Sequence, residues 1–108
     1  MSRLGVHQEA KDLAEKALRL ALAGDDVEAR RLYARSAQME RSLAETVSPD
    51  HRVTFAVFHR SAASLAFSAG DNREAIRLAS AGLANDPPVE IAADLRALLK
   101  KAQDASPE

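Results

Sequence analysis

A block of ten residues occurs twice in this 108-residue chain. Ala23-Gly-Asp-Asp-Val-Glu-Ala-Arg-Arg-Leu32 returns as Ala69-Gly-Asp-Asn-Arg-Glu-Ala-Ile-Arg-Leu78, with seven of ten positions identical at an offset of 46. Each copy carries the physical signature of a junction between two helices. Gly24 and Gly70 accept the left-handed conformation that closes a helix. Asp25 and Asp71 can cap the next helix, and Glu28 and Glu74, three residues on, complete a capping box. Ala29 and Ala75 let the second helix lie close against the first. Ala17 and Ala63 correspond as well, seven residues before the two glycines, and close helix crossing needs small residues at such points. A chain built around two such junctions has little freedom to be anything but helical hairpins.

The rest of the chain supplies the helices. Leu13, Ala17, Leu20 and Ala21 recur at helical spacing in a first segment over about 6–23. Leu32, Ser36, Met39 and Leu43 mark a second, which reaches Thr46 or Val47. Ser48-Pro49 reads as a cap followed by a proline at the first helical position, which opens a third helix containing Phe55, Phe58, Ala62, Leu65, Ala66 and Ala69. A fourth runs from about Arg73 to Leu83. Asp86-Pro87 reads as a second cap-plus-proline start, and Ile91, Leu95, Leu98 and Leu99 form the stripe of a fifth. The expectation is one all-α domain over 1–108: a first hairpin at 6–47, a second at 50–84 and a capping helix at 87–103. Its apolar share is 46%, much of it alanine, with only three Phe, one Tyr and no Trp. Alanine buries little area, so the core should be thin and open to completion by a partner or a second copy.

Over about residues 56–89 the chain resembles the tetratricopeptide repeat family, through Ala63, Gly70-Asp71, Glu74-Ala75-Ile76, Gly82-Leu83 and Asp86-Pro87. The copy at about 10–43 resembles it through Ala17, Gly24-Asp25, Glu28-Ala29, Tyr33 and Ser36. His59 and Ala62 stand where the family carries tryptophan and leucine. The offset of 46 exceeds the family's period of about 34 residues, which implies a longer second helix and an early third. Residues 10–46 also resemble the first hairpin of the microtubule-interacting and trafficking domain. The resemblance implies antiparallel helical hairpins of tetratricopeptide type with a C-terminal capping helix.

Function classes narrow by chemistry. There are no cysteines, which removes thiol catalysis and thiolate metal sites and fits a reducing compartment. His7, His51 and His59 are too scattered for any standard metal spacing, and no serine sits on a nucleophile elbow. No enzyme, metal or cofactor is expected, and His59 reads as a packing residue. Sixteen acidic residues offset fifteen basic ones, so nucleic acid is not an expected partner. The row Arg30, Arg31, Arg35, Arg41, interrupted by Glu28, Glu40 and Glu45, reads as a solvated, ion-paired face. The chain shows no signal-like or membrane-spanning apolar run, so the expectation is cytoplasm and no membrane.

Binding to another protein is the remaining class. In the family that the chain resembles, the first helix of each hairpin lines the peptide-binding face. By position that implies Lys11, Ala14, Leu18, Ala21 and Leu22 from the first copy and Val57, Arg60, Ser64, Phe67 and Ser68 from the second. Leu18, Leu22 and Phe67 would be apolar anchors, beside Ser64, with Lys11 and Arg60 at the edge to meet an acidic side chain. The family's carboxylate clamp is not expected, because Leu18 and Ser64 occupy the positions of its asparagines. The expected function is a scaffold or adaptor module that takes a short peptide or helix. The alternatives are a homodimeric assembly domain and the regulatory domain of a bacterial signalling system.

Overall fold

The computed structural model describes residues 2–106. Within them the chain forms five helices: α1 (Arg3–Leu22), α2 (Asp26–Thr46), α3 (Arg52–Ser68), α4 (Asn72–Leu83) and α5 (Val89–Ala105). Each packs on its neighbour in sequence, and α5 also returns onto α3. The result is a slab 40 × 39 × 20 Å, two helices thick, with α1, α3 and α5 in one layer and α2 and α4 in the other.

The two repeated blocks build the same turn. Gly24 and Gly70 have φ of 90° and 84°, a region that costs a residue with a side chain about 1–2 kcal/mol. The Asp25 N–H donates to the Leu20 carbonyl at 2.9 Å, and the Asp71 N–H donates to the Ala66 carbonyl at 2.9 Å. These bonds satisfy carbonyls that the helix end leaves open. Asp25 then accepts from the Glu28 N–H, and Asp71 from the Glu74 N–H, both at 3.2 Å. Glu28 and Glu74 turn outward to Arg31 and Arg77 one turn on, so the aspartate half of each expected capping box forms and the glutamate half becomes an ion pair.

Both proline starts differ from the sequence expectation. Pro49 lies inside a turn closed by the His51 N–H on the Ser48 carbonyl at 3.0 Å, and α3 begins only at Arg52. Ser48 Oγ accepts from Asp50 rather than capping the helix. At the other site Pro88 follows Pro87 directly, and a residue before proline is driven out of the helical region. The helix therefore begins after Pro88, at Val89. Asp86 is no cap: it sits at φ 50° and its carbonyl accepts from Arg52 at 2.6 Å.

The core is mostly alanine. Ala56, Ala62, Ala63, Ala66, Ala75 and Ala79 are buried around Leu78, Ile91 and Leu95. A smaller cluster joins Leu43, Ala44 and Val47 of the α2 end to Phe58 of α3. His59 is buried, stacked on Phe55 with centroids 4.0 Å apart, and its Nδ1–H donates to the Phe55 carbonyl at 2.8 Å. No helix among the described residues is long and apolar enough to cross a membrane.

Candidate functional site

Because α2 stands behind them, α1 and α3 make no extensive direct contact, while α5 packs on the far side of α3. This leaves an open groove of about 570 Å³ on the layer of α1, α3 and α5. Its first wall is α1, through His7, Lys11 and Ala14, which follow at helical spacing. The bed is α3, through Arg60, Ser61, Ser64 and Leu65. The second wall is α5, where Asp94, Ala97, Leu98 and Lys101 again share a face. Glu40 of α2 also lines it, from behind α1.

Of the residues singled out from sequence, Lys11, Arg60 and Ser64 come together here. Leu18 and Leu22 do not line the groove; they project from α1 at 51% and 80% exposure. Phe67 lies elsewhere too, half-buried against the alanine core. One to two turns beyond Ala14, the same stripe of α1 has left the groove and faces solvent. Arg60 also differs from its expected role. Its guanidinium donates to Asp94 of α5 at 3.0 Å, so its acidic partner belongs to its own chain.

Glu40 overturns the reading of its helix face as wholly solvated. It is only 2% exposed, and its Oε1 accepts from His7 Nδ1–H at 2.6 Å. The His7 ring stands edge-on to Phe58, with centroids 5.6 Å apart and planes at 77°. Glu40 Oε2 is buried with no hydrogen-bond partner. Burial pushes the Glu40 carboxyl above its ordinary range, and the bond from His7 only partly offsets this. A signal was present in the sequence. Glu40 falls four residues after Ser36 and three before Leu43, inside the apolar stripe of α2. Asp94 and Lys101, seven residues apart, gave a weaker one.

The arginine row lies on the opposite layer. Arg31, Arg35 and Arg41 line a second opening of about 340 Å³ with Asp71 and Glu74. Arg31 pairs with Glu28, and Arg41 lies 3.7 Å from Glu45 and 3.8 Å from Glu74. The bond from Arg77 holds the Glu74 carboxyl below its ordinary range. This face is ion-paired within α2 and α4 and between them. Among the described residues, no three His, Asp or Glu side chains gather where they could hold a metal ion.

Comparison of the chain with protein-family models, with curated proteins and with solved structures finds no match. The site must therefore be judged on its own chemistry.

Proposed function

We propose that this chain is a protein-docking module of tetratricopeptide-repeat type, acting in the cytoplasm, which holds a short helix or peptide of another protein in the groove of α1, α3 and α5. The observation that carries this reading is the make-up of the groove. Its surface is set by the small residues Ala14, Ser61, Ser64 and Ala97, flanked by Leu65 and Leu98 and rimmed by lysines. Small residues let a docking segment approach the helix backbones closely, and the apolar pair supplies the area from which water is removed. Docking is onto a surface already formed by the packed hairpins, with Leu43, Ala44 and Val47 on Phe58 holding the first hairpin to the second and the turn at Asp86 returning α5.

The test is affinity capture on wild type beside Ser64→Trp. Ser64 is exposed, so an indole there fills the groove and leaves the core alone. A protein retained by wild type and lost by the variant, at unchanged helicity, supports the reading. A partner retained equally by both puts the binding face elsewhere.

A second reading has its own observation. Leu4, Leu18 and Leu22 of α1 are strongly exposed and lie within a narrow stripe of one helix. A homodimer through α1 would cover them. Sedimentation velocity over a range of concentrations separates the two readings, and a concentration-dependent melting temperature would mark the dimer.

A further inference from the structure

We propose that the segment held in this groove is an amphipathic helix with carboxylates along both flanks and a small or apolar face between them. This rests on the docking reading above and names the chemistry of the occupant. Six ionisable side chains line the groove: His7, Lys11, Glu40, Arg60, Asp94 and Lys101. Two pairs close on themselves. Arg60 meets Asp94 at 3.0 Å, and His7 covers the buried Glu40 at 2.6 Å. Lys11 on the α1 wall and Lys101 on the α5 wall are left over. Among the described residues neither has an ion-pair or hydrogen-bond partner. Asp12 and Asp104, within three residues of them in sequence, are held by Gln8 at 2.9 Å and by Lys100 at 3.1 Å, and Glu15, one turn on from Lys11, makes no bond to it.

Two unpaired cations on opposite walls ask for anions on opposite sides of one occupant. The middle of the groove asks for the reverse. There Arg60 with Asp94 and His7 with Glu40 are already paired with each other and leave no charge to meet a carboxylate, while Leu65 and Leu98 favour apolar groups. An α-helix meets all three demands, since residues spaced three and four apart form one face and their neighbours form its two flanks. A fully extended segment offers only two opposed side-chain rows, one down and one up, and cannot reach both walls and the bed together. The small bed residues Ser61 and Ser64 add the close approach that helix packing needs.

The experiment uses a labelled peptide of about 18 residues, about five helical turns, with alanine and leucine on one face and glutamate on both flanks. Its counterpart carries lysine in place of every glutamate. Binding of each is followed by fluorescence anisotropy to the full chain, to Lys11→Glu/Lys101→Glu and to Ser64→Trp. Both lysines are exposed, so the double variant should keep its helicity, which circular dichroism checks. The expected result is that wild type binds the glutamate peptide and not the lysine peptide, and that the double variant reverses the order. Affinity for the glutamate peptide should fall roughly tenfold or more in the double variant. It should also fall as salt rises from about 0.01 M to about 1 M, which shortens the Debye length from about 30 Å to about 3 Å.

Equal binding of the two peptides, or binding indifferent to the double substitution but lost in Ser64→Trp, overturns the charge assignment and leaves the groove as the docking site. Binding of the glutamate peptide that survives Ser64→Trp overturns both. Failure of wild type to bind either peptide overturns the occupant named here and leaves the docking reading to the capture experiment. A short DNA duplex serves as a further arm. Binding to it that is lost in the double variant, with no binding of the glutamate peptide, would assign the lysines to phosphate and overturn the proposal.

Discussion

The two hairpins share one turn and differ in what the turn leads to. After Gly24-Asp25 the chain runs for 21 helical residues, and after Gly70-Asp71 for only 12. The longer helix carries Leu43, Ala44 and the Val47 beyond it to Phe58, and so ties the first hairpin to the second. The shorter one ends where Asp86 and the paired prolines send the chain back as α5 over α3 and α4. As far as Leu83, positions 46 apart therefore share a helical backbone and differ in their neighbours; beyond it the backbone differs too. Ala17 and Ala63 are both buried, as are Leu32 and Leu78. Ser36 corresponds to Gly82, and the buried Glu40 corresponds to Asp86, which is out in solvent. The turn is a local property of ten residues; what packs on it is not.

Overfilling both hairpins at the same point has the largest expected effect. Ala29 and Ala75 are almost fully buried where the second helix of each pair crosses the first. Ala75→Leu should cost about 1–3 kcal/mol by forcing side chains from their rotamers, and Ala29→Leu should cost about as much. Denaturant melts of both variants give the answer. A neutral result at either position would show that the repeat in sequence is not a repeat in packing.

The unlike pair Ser36 and Gly82 separates size from surroundings. A Cβ added to Gly82 would stand 3.0 Å from Leu95 Cδ1 and 3.1 Å from His59 Cβ, so α3 and α5 must move apart to admit it. Ser36 fills the equivalent place without α5 above it, and its hydroxyl donates to the Ala10 carbonyl at 2.6 Å. Gly82→Ser should therefore lose about 1–3 kcal/mol by overpacking. Ser36→Ala should lose only about 1 kcal/mol, the worth of one hydrogen bond. If both variants melted with wild type, small size alone would be the requirement and the neighbours would be irrelevant.

What was legible in the sequence follows the same division. Gly24, Asp25, Gly70 and Asp71 announced their turns because the bonds that define them span five residues or fewer. The five helices were legible from spacing. The starts of α3 and α5 were not, because Pro49 and Pro87 suit a turn as well as a first helical turn, and only the residues after them decide. Lys11, Arg60 and Ser64 were reached through repeat register, which carries over the side of a helix. It could not carry over where α5 lies, and so Asp94 and Lys101 were missed and Arg60 was left without its partner. Glu40 was misjudged because charge type outweighed its place in the α2 stripe.

The smallest effect compares two buried titratable groups, one in each hairpin, whose signs oppose. Glu40 faces His7 of α1, and burial raises its pKa above the ordinary value of 4.5. The fold thus favours its protonated form, so its contribution is full below the unfolded pKa and is lost as pH rises through the folded one. His59 in α3 is the reverse. Burial, with the nearby Arg77 charge adding to it, lowers its pKa from 6.5 against the bond to the Phe55 carbonyl. The fold favours neutral His59, so its contribution is full above the unfolded pKa and is lost as pH falls through the folded one. Glu40→Gln should therefore gain melting temperature relative to wild type as pH rises from the carboxylate range to neutrality. His59→Gln should lose least, relative to wild type, at the acid end. Melts of the three proteins in steps from acid to neutral pH read both slopes. Parallel curves would mean that neither group titrates differently on folding. A Glu40→Gln curve that instead closes on wild type as pH rises would mean that His7 holds Glu40 ionised, and that the pair stabilises the wall of α1 rather than straining it.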